Sequence, residues 1–385
     1  MPDFVVLGAG VMGTSVAFHL ARRRAGRILV LDQGLVGQGM SGRSSALIRM
    51  HYSFPPEVQL AAKSLEMFLH WPDLTGAPGD FRKTGFVRIV PERETKRLEA
   101  NVAMQRSLGV NAVVISGREL RELEPDWRVD DVAAAAYEPD SGFGDGASVA
   151  RDLLAKAREW GVEYRPETRA LDFNIEGGRM RGVKTDKGDV EAPVVVAATG
   201  PWTRPLFARA GFDLPIETEY HQVAILKNPP GMKWPACACI DSITNTYFRS
   251  EVRDLTLVGA FRGGRGVDPD DFPQSPSDES LAEMASVVAR RVPALDDAGV
   301  VRGITGVYDM TPDSHPLLGQ VPGIVGLHVV AGFSGMGFKI SPAVGLAMSE
   351  LILDGRAAWV DIQAFRPERF AEGRPIKAEF EYADD

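Results

Sequence analysis

The sequence predicts an α/β chain of two domains, one discontinuous and built on a parallel sheet, the other an α+β unit built on an antiparallel sheet. Three observations carry that expectation. Apolar runs at 5–7, 28–31 and 194–198, and one at 327–331 interrupted by His328, lead into glycines or an acid, as buried parallel strands do where their C-terminal ends meet a ligand. Two of these runs enter glycine-rich turns that open helices. Between 216 and 267 alternating strand patterns dominate, which suggests an antiparallel sheet.

The first unit is the most specific. Val5-Val6-Leu7 enters Gly8-Ala9-Gly10-Val11-Met12-Gly13, a helical stretch runs to about Arg24, and Ile28–Leu31 ends on Asp32, followed by Gln33. A strand, a glycine turn, a helix and a second strand closing on an acid form the Rossmann-like unit that grips an ADP-containing dinucleotide. Gly8 allows the tight turn, Gly10 lets the backbone approach the pyrophosphate, and Gly13 lets helix and strand pack closely. The helix N-terminus offers N–H groups to phosphate. Asp32 is placed to accept from the adenosine ribose hydroxyls and would repel a 2′-phosphate. The motif does not separate FAD from NAD.

Further elements follow in order. Residues 57–71 carry an apolar stripe at helical spacing, 86–90 read as a strand, 92–108 and 118–124 as helices, and 147–160 as a helix stopped at Gly161. Short strands with glycine turns from 162 to 190 suggest a β-meander. Residues 268–278, rich in Pro, Asp and Ser, read as a surface loop, and 281–292 as a helix. The strand 327–331 enters Gly332-Phe333-Ser334-Gly335-Met336-Gly337, with a helix from about 342 to 353. The dinucleotide domain is therefore expected over 1–85, 140–215 and 305–385, and the antiparallel-sheet domain, for substrate, over 86–139 and 216–304.

Composition narrows the function. With 385 residues, 44% apolar and 25% charged, the chain is an ordinary globular one, large enough for a sizeable core. A net charge of −9 argues against a nucleic-acid partner. No run of about 18 apolar residues suggests a membrane span, and no basic leader precedes Val5, so a cytoplasmic location is expected. Cys237 and Cys239 are too few for a disulfide framework or a zinc site; they read as two thiols on one face of a strand, and no metal is expected.

Taken together, several segments resemble the FAD-dependent D-amino-acid-oxidase-like (DAO) family, on the side of sarcosine oxidase, the sarcosine oxidase β subunit and dimethylglycine dehydrogenase. They are Gly8 to Gly13 with Asp32, Ser41-Gly42-Arg43-Ser44-Ser45, Ile48-Arg49, Ala197 to Trp202, Tyr308 with Thr311-Pro312-Asp313, and Gly332 to Lys339. The resemblance implies FAD in an extended conformation with its ring under the second domain's sheet. Beyond the first glycine motif it implies cofactor contacts from Gly42, Arg43, Ser44, Ser45, Thr199, Gly200, Trp202, Gly332, Gly335, Met336, Gly337, Phe338 and Lys339. The second glycine turn would bring backbone N–H groups to the edge of the ring that gains negative charge on reduction.

The family's chemistry oxidises an amino acid by hydride transfer to flavin N5, which requires the substrate carboxylate to be held. Arg49 and Lys339 stand where the resemblance places two carboxylate-binding cations, a guanidinium fork and an ammonium. Tyr247, Arg249 and His51 are further candidates for substrate contact or catalysis, with Tyr52 and His221 as pocket-lining alternatives and His315 near the flavin by family position. For each a salt bridge or a packed core position is the plain alternative. Gly306 stands where monomeric sarcosine oxidases carry the flavin-linked cysteine, and Ser44-Ser45-Ala46-Leu47 where dimethylglycine-dehydrogenase-like members carry a linking histidine, so non-covalent FAD is expected. Ala46 replaces an arginine of the monomeric oxidases, which puts rapid reaction with O₂ in doubt. The expected activity is oxidation of a small secondary or tertiary amino acid, sarcosine-like, to an imine, an FAD-dependent reaction at a C–N bond, with O₂ or another acceptor. The alternatives are a β-type flavin subunit that needs partner subunits (acting on proline, an opine or sarcosine), an FAD-dependent 2-hydroxy acid dehydrogenase, and an NAD-dependent dehydrogenase.

Overall fold

The computed structural model describes residues 1–232, 237–252, 254–260 and 263–382; parts of the expected antiparallel region, 233–236, 253 and 261–262, lie outside the described residues. A six-stranded sheet has the order Leu317–Gln320, Leu327–Ala331, Val194–Ala197, Phe4–Leu7, Ile28–Leu31, Glu163–Arg165. Its neighbours are parallel except for the outer pair at 317–331.

The central strands Phe4–Leu7, Ile28–Leu31 and Val194–Ala197 are apolar at every position because both faces of the sheet are covered there, whereas the edge strand Glu163–Arg165 is polar. Phe4, Val6, Ile28, Val30, Val196 and Val330 point into a core shared with the helices Val11–Arg22, Pro55–Leu69, Gly146–Glu159 and Gly337–Asp354. Val5, Leu7, Leu29, Leu31, Val195 and Val329 point the other way, onto Phe173, Met180, Val183 and Phe207. Phe173, Met180 and Val183 belong to a small antiparallel sheet of Ala170–Glu176, Arg179–Thr185 and Val190–Glu191.

The second large sheet has eight strands, in the order Gly299–Met310, Glu217–Lys227, Leu255–Ala260, Thr246–Glu251, Ala238–Asp241, Phe86–Ile89, Ala134–Glu138, Val113–Ser116. One face packs against the helices Gly117–Leu123 and Asp278–Arg291 through Val87, Leu120, Trp127, Phe248, Met284 and Val288. Cys237 and Cys239 lie in that core, and burial pushes both thiols up, so neither is a ready nucleophile. The opposite face gathers Phe86, Val223, Ile225, Tyr247 and Leu257 around Leu47. Among the described residues no helix is long and apolar enough to cross a membrane.

Four details differ from the sequence expectation. Glu163–Arg165, expected in the meander, instead joins the parallel sheet beside Ile28–Leu31. Phe86–Ile89 pairs parallel with Ala238–Asp241, so the second sheet is mixed. Gly299–Met310 runs unbroken along Glu217–Lys227, so the expected boundary at 305 falls inside a strand. The last long helix starts at Gly337 rather than near 342, with Pro342 inside it. The Phe338 carbonyl that Pro342 cannot serve accepts from the Ser341 hydroxyl at 2.9 Å, which removes much of the cost of an interior proline.

Candidate active site

The first glycine turn has the geometry its sequence demands. Gly8 has φ +101°, and a Cβ there would lie 2.3 Å from the Ala198 carbonyl oxygen. A Cβ on Gly13 would lie 1.9 Å from the Gly8 carbonyl oxygen, so Gly13 sits where helix and strand touch. Gly10 has ordinary extended dihedrals, and the one atom close to its missing Cβ is Ser41 Oγ at 2.9 Å. No side chain of Gly10 can cap the helix; Val11 N instead donates to Ser41 Oγ at 3.0 Å. Asp32 accepts from Ala9 N at 2.6 Å and from Gly34 N at 2.7 Å. Burial pushes its carboxyl up, and those two N–H bonds work against the rise.

A cleft of about 640 Å³ runs from this turn to the second one. Gly8, Gly10, Val11, Met12, Asp32 and Gln33 line it from the first glycine unit. Arg43, Ser44, Thr199, Gly200 and Trp202 line it as well, and so do Gly335, Gly337 and Phe338 of the second turn. Of the residues expected at the cofactor, Gly13, Gly42, Ser45, Gly332, Met336 and Lys339 do not line it. Gly42 is packed on the Gly37 carbonyl, 2.6 Å from where its Cβ would be, and the Ser45 carbonyl accepts from Arg249 Nε at 2.7 Å. A glycine-walled cleft that includes the Asp32 carboxylate and a helix start at each turn fits an extended dinucleotide.

Asp309 shapes the second turn. Its carboxylate accepts from Gly332 N at 2.6 Å and its carbonyl from Ser334 N at 2.9 Å, while Thr311 N donates to Ser334 Oγ at 3.1 Å. These bonds hold Ser334 at φ +47°, a strained value for a non-glycine residue. Burial pushes the Asp309 carboxyl up to about 6 against the pull of the backbone N–H groups. Sequence reading passed over Asp309; its place beside Tyr308 was the one available signal.

Arg49 and Lys339 lie near enough for their charges to repel, and neither lines the cleft. The Arg49 guanidinium lies 4.4 Å from the Tyr52 ring and 5.8 Å from the Phe86 ring, and its Nη1 donates to the His51 carbonyl. Met50 N and Ser141 Oγ both donate to Glu138 Oε2, at 2.9 and 2.6 Å, which anchors the segment beside Arg49. Lys339 is buried in the first turn of its helix, with Nζ 3.4 Å from the Gly335 carbonyl. Burial first, then repulsion from Arg49, holds its ammonium well below the usual lysine range, and Glu57 opposes this.

The other candidates are placed differently. Tyr247 is buried on the inner face of the eight-stranded sheet, its phenol bonded to Tyr308 and Ser45, and burial keeps it protonated. Arg249 is a correction to the substrate-contact expectation. Its guanidinium is committed to the Ser45 and Ser250 carbonyls and to Glu251 at 2.8 Å, over the Phe143 ring, so it ties the sheet to the 41–45 segment. His51 faces away as well. Its Nε2 is 2.8 Å from Tyr382 Oη, and burial, then Arg88 and Arg49, keep the imidazole neutral. His221 stacks on Tyr308 at 3.7 Å, with Nε2 3.0 Å from Glu219.

His315 Nδ1 lies 2.5 Å from Glu57 Oε1; burial disfavours its charged form, and Glu57 more than offsets this. Behind it Arg369, fully buried, grips both Asp313 oxygens at 2.8 Å and the carbonyls of His315, Pro316, Phe365 and Arg366. Glu57, Glu138, Arg369 and Tyr382 were not anticipated, because each acts on a partner far away in sequence.

The comparisons agree with this geometry. Mouse FAD-dependent oxidoreductase domain-containing protein 1 is 28% identical over 97% of this chain and 86% of its own length. Sarcosine oxidase subunit beta from an Arthrobacter species is 26% identical over 97% of this chain and 92% of its own. The crystal structure of L-proline dehydrogenase from P. horikoshii superposes with a TM-score of 0.90, at 28% identity over 97% of this chain and 99% of that one. Residues 3–351 match the model of the DAO, FAD dependent oxidoreductase, family, and the chain belongs to that family as an FAD-binding oxidoreductase.

Proposed function

We propose that this flavoenzyme oxidises a small secondary or tertiary amino acid, a sarcosine-like N-methyl amino acid first, to an imine that water then hydrolyses. Two cations carry this reading: Arg49 beside the Tyr52 and Phe86 rings, and a buried Lys339 near enough to Arg49 to feel its charge. Bound FAD supplies the acceptor for a hydride. The chain supplies binding and placement. Arg49 offers a planar fork to a carboxylate. The Lys339 ammonium, disfavoured by burial, is favoured once a carboxylate arrives beside it. Tyr52 and Phe86, both buried, flank the Arg49 guanidinium with apolar rings, a surrounding that suits an N-methyl or ring substituent. The uncapped start of the helix at Gly337 directs backbone N–H groups at negative charge developing nearby. The names of two relatives, for sarcosine and for proline, support a secondary amine.

Ser44 and Gly306 offer no nucleophile for a flavin link, and both cysteines lie on the far face of the sheet, which supports non-covalent FAD. Acid precipitation should leave the flavin in the supernatant; a yellow pellet overturns that part. A second reading, a flavin-carrying β-type subunit working with partner chains, is favoured by the match along 92% of a sarcosine oxidase β subunit. Anaerobic bleaching of the flavin across amines and hydroxy acids separates the readings. Bleaching by N-methyl amino acids or proline supports the proposal, bleaching by 2-hydroxy acids alone refutes it, and no bleaching of the isolated chain favours the subunit.

A further inference from the structure

The 268–276 segment reads in the sequence as a mere surface loop, yet Pro269, Asp270, Phe272 and Gln274 line the dinucleotide cleft. It leaves the antiparallel sheet and is rooted there: Thr218 Oγ1 donates to the Val267 carbonyl at 2.5 Å, and Thr305 Oγ1 to the Pro273 carbonyl at 2.7 Å. Its middle is strapped across to the other domain. Trp202 Nε1 donates to Asp270 Oδ1 at 2.8 Å, and Arg169 pairs with Asp270 Oδ2. Arg43 donates from Nη2 to Gln274 Oε1 at 2.8 Å and lies 5.3 Å from the Phe272 ring. Trp202, Arg169 and Arg43 themselves line the cleft.

We propose that Asp270 and Gln274 are cofactor-retaining residues: the 268–276 loop is the outer wall of the FAD cleft, fastened by Trp202, Arg169 and Arg43, and FAD enters or leaves when the fastening opens. An acid is otherwise a poor choice at the rim of a pyrophosphate site, since it repels the ligand. Here both of its oxygens are engaged by donors from the opposite rim. The Arg169–Asp270 pair is 39% and 44% exposed, and such a contact is individually weak, which suits a wall that must open. The inference rests on FAD binding in this cleft and is independent of which amine is oxidised.

The test follows flavin fluorescence as the holoenzyme releases FAD on dilution with an apoflavoprotein trap, and as apoprotein takes FAD up. Asp270→Ala should release FAD about tenfold faster, although loss of a negative charge alone would slow release. Asp270→Asn, which keeps an acceptor for Trp202 and loses the Arg169 pair, should fall between, and Gln274→Ala should also release faster. Uptake should accelerate in the same variants, because opening precedes both directions. Release from Asp270→Ala that is unchanged or slower overturns the proposal, and so does faster release with unchanged uptake, the signature of a simple lost contact.

Discussion

Gly8 and Gly10 stand two residues apart and should fail in opposite ways when given a methyl group. At Gly8, φ is +101° and the new Cβ would lie 2.3 Å from the Ala198 carbonyl oxygen, a backbone atom fixed by the Ala198 N to Leu7 O bond at 2.8 Å. Backbone strain of about 1–3 kcal/mol and overpacking of about 1–3 kcal/mol add to roughly 2–6 kcal/mol for Gly8→Ala. That is a large share of a typical folding stability of about 5–15 kcal/mol. At Gly10, φ is −76° and the nearest atom is the Ser41 hydroxyl at 2.9 Å, which can rotate aside at the cost of its bond from Val11 N. Gly10→Ala should therefore cost the apoprotein no more than a lost helix cap, about 0.5–2 kcal/mol. It should still weaken FAD binding at least about tenfold, because the methyl group stands on the cleft wall where backbone must meet pyrophosphate. Urea unfolding of the two apoproteins and fluorescence titration with FAD measure both effects. Wild-type FAD affinity in Gly10→Ala, or wild-type apoprotein stability in Gly8→Ala, refutes the reasoning.

Other outcomes follow from the site. Arg49→Met removes a charged contact worth about 3 kcal/mol, so kcat/KM for the amino acid should fall roughly 150-fold in steady-state assays, and unchanged kinetics would discard the clamp. Arg369→Met leaves the Asp313 carboxylate buried without its guanidinium and should cost about 3–5 kcal/mol in urea unfolding. Burial raises the Asp309 carboxyl from 3.8 to about 6, so the folded chain keeps a proton that the unfolded chain has lost. The stability this represents, about 3 kcal/mol, is present below about pH 4 and lost as pH rises through about 6. Asp309→Asn should flatten that part of a plot of unfolding midpoint against pH.

Much of the fold was legible because the chain repeats one device. The buried parallel strands are apolar but for His328, since alternate residues enter different cores: Val6 meets the helices, and Val5 and Leu7 meet the small sheet. The glycines were equally plain, as Gly8 and Gly13 satisfy constraints that no other residue meets. The polar scaffold was hidden. Glu57 meets His315, Glu138 meets Met50, and Tyr382 meets His51, and no local pattern announces a pairing 88 to 331 residues apart. Arg249 misled because a buried arginine on a strand near a pocket looks alike whether its guanidinium faces a ligand or, as here, the Ser45 carbonyl and Glu251. Glu163–Arg165 misled because three residues are too few to carry a period, and their partner, not their pattern, decides the sheet they join.

A crystal structure of the FAD-loaded enzyme soaked with a small carboxylate that perturbs the flavin spectrum tests the central claim most directly. The account predicts that carboxylate bridged between the Arg49 guanidinium and the Lys339 ammonium, against the flavin and between the Tyr52 and Phe86 rings. A carboxylate bound elsewhere, with Arg49 and Lys339 both turned away from the ring, would contradict it.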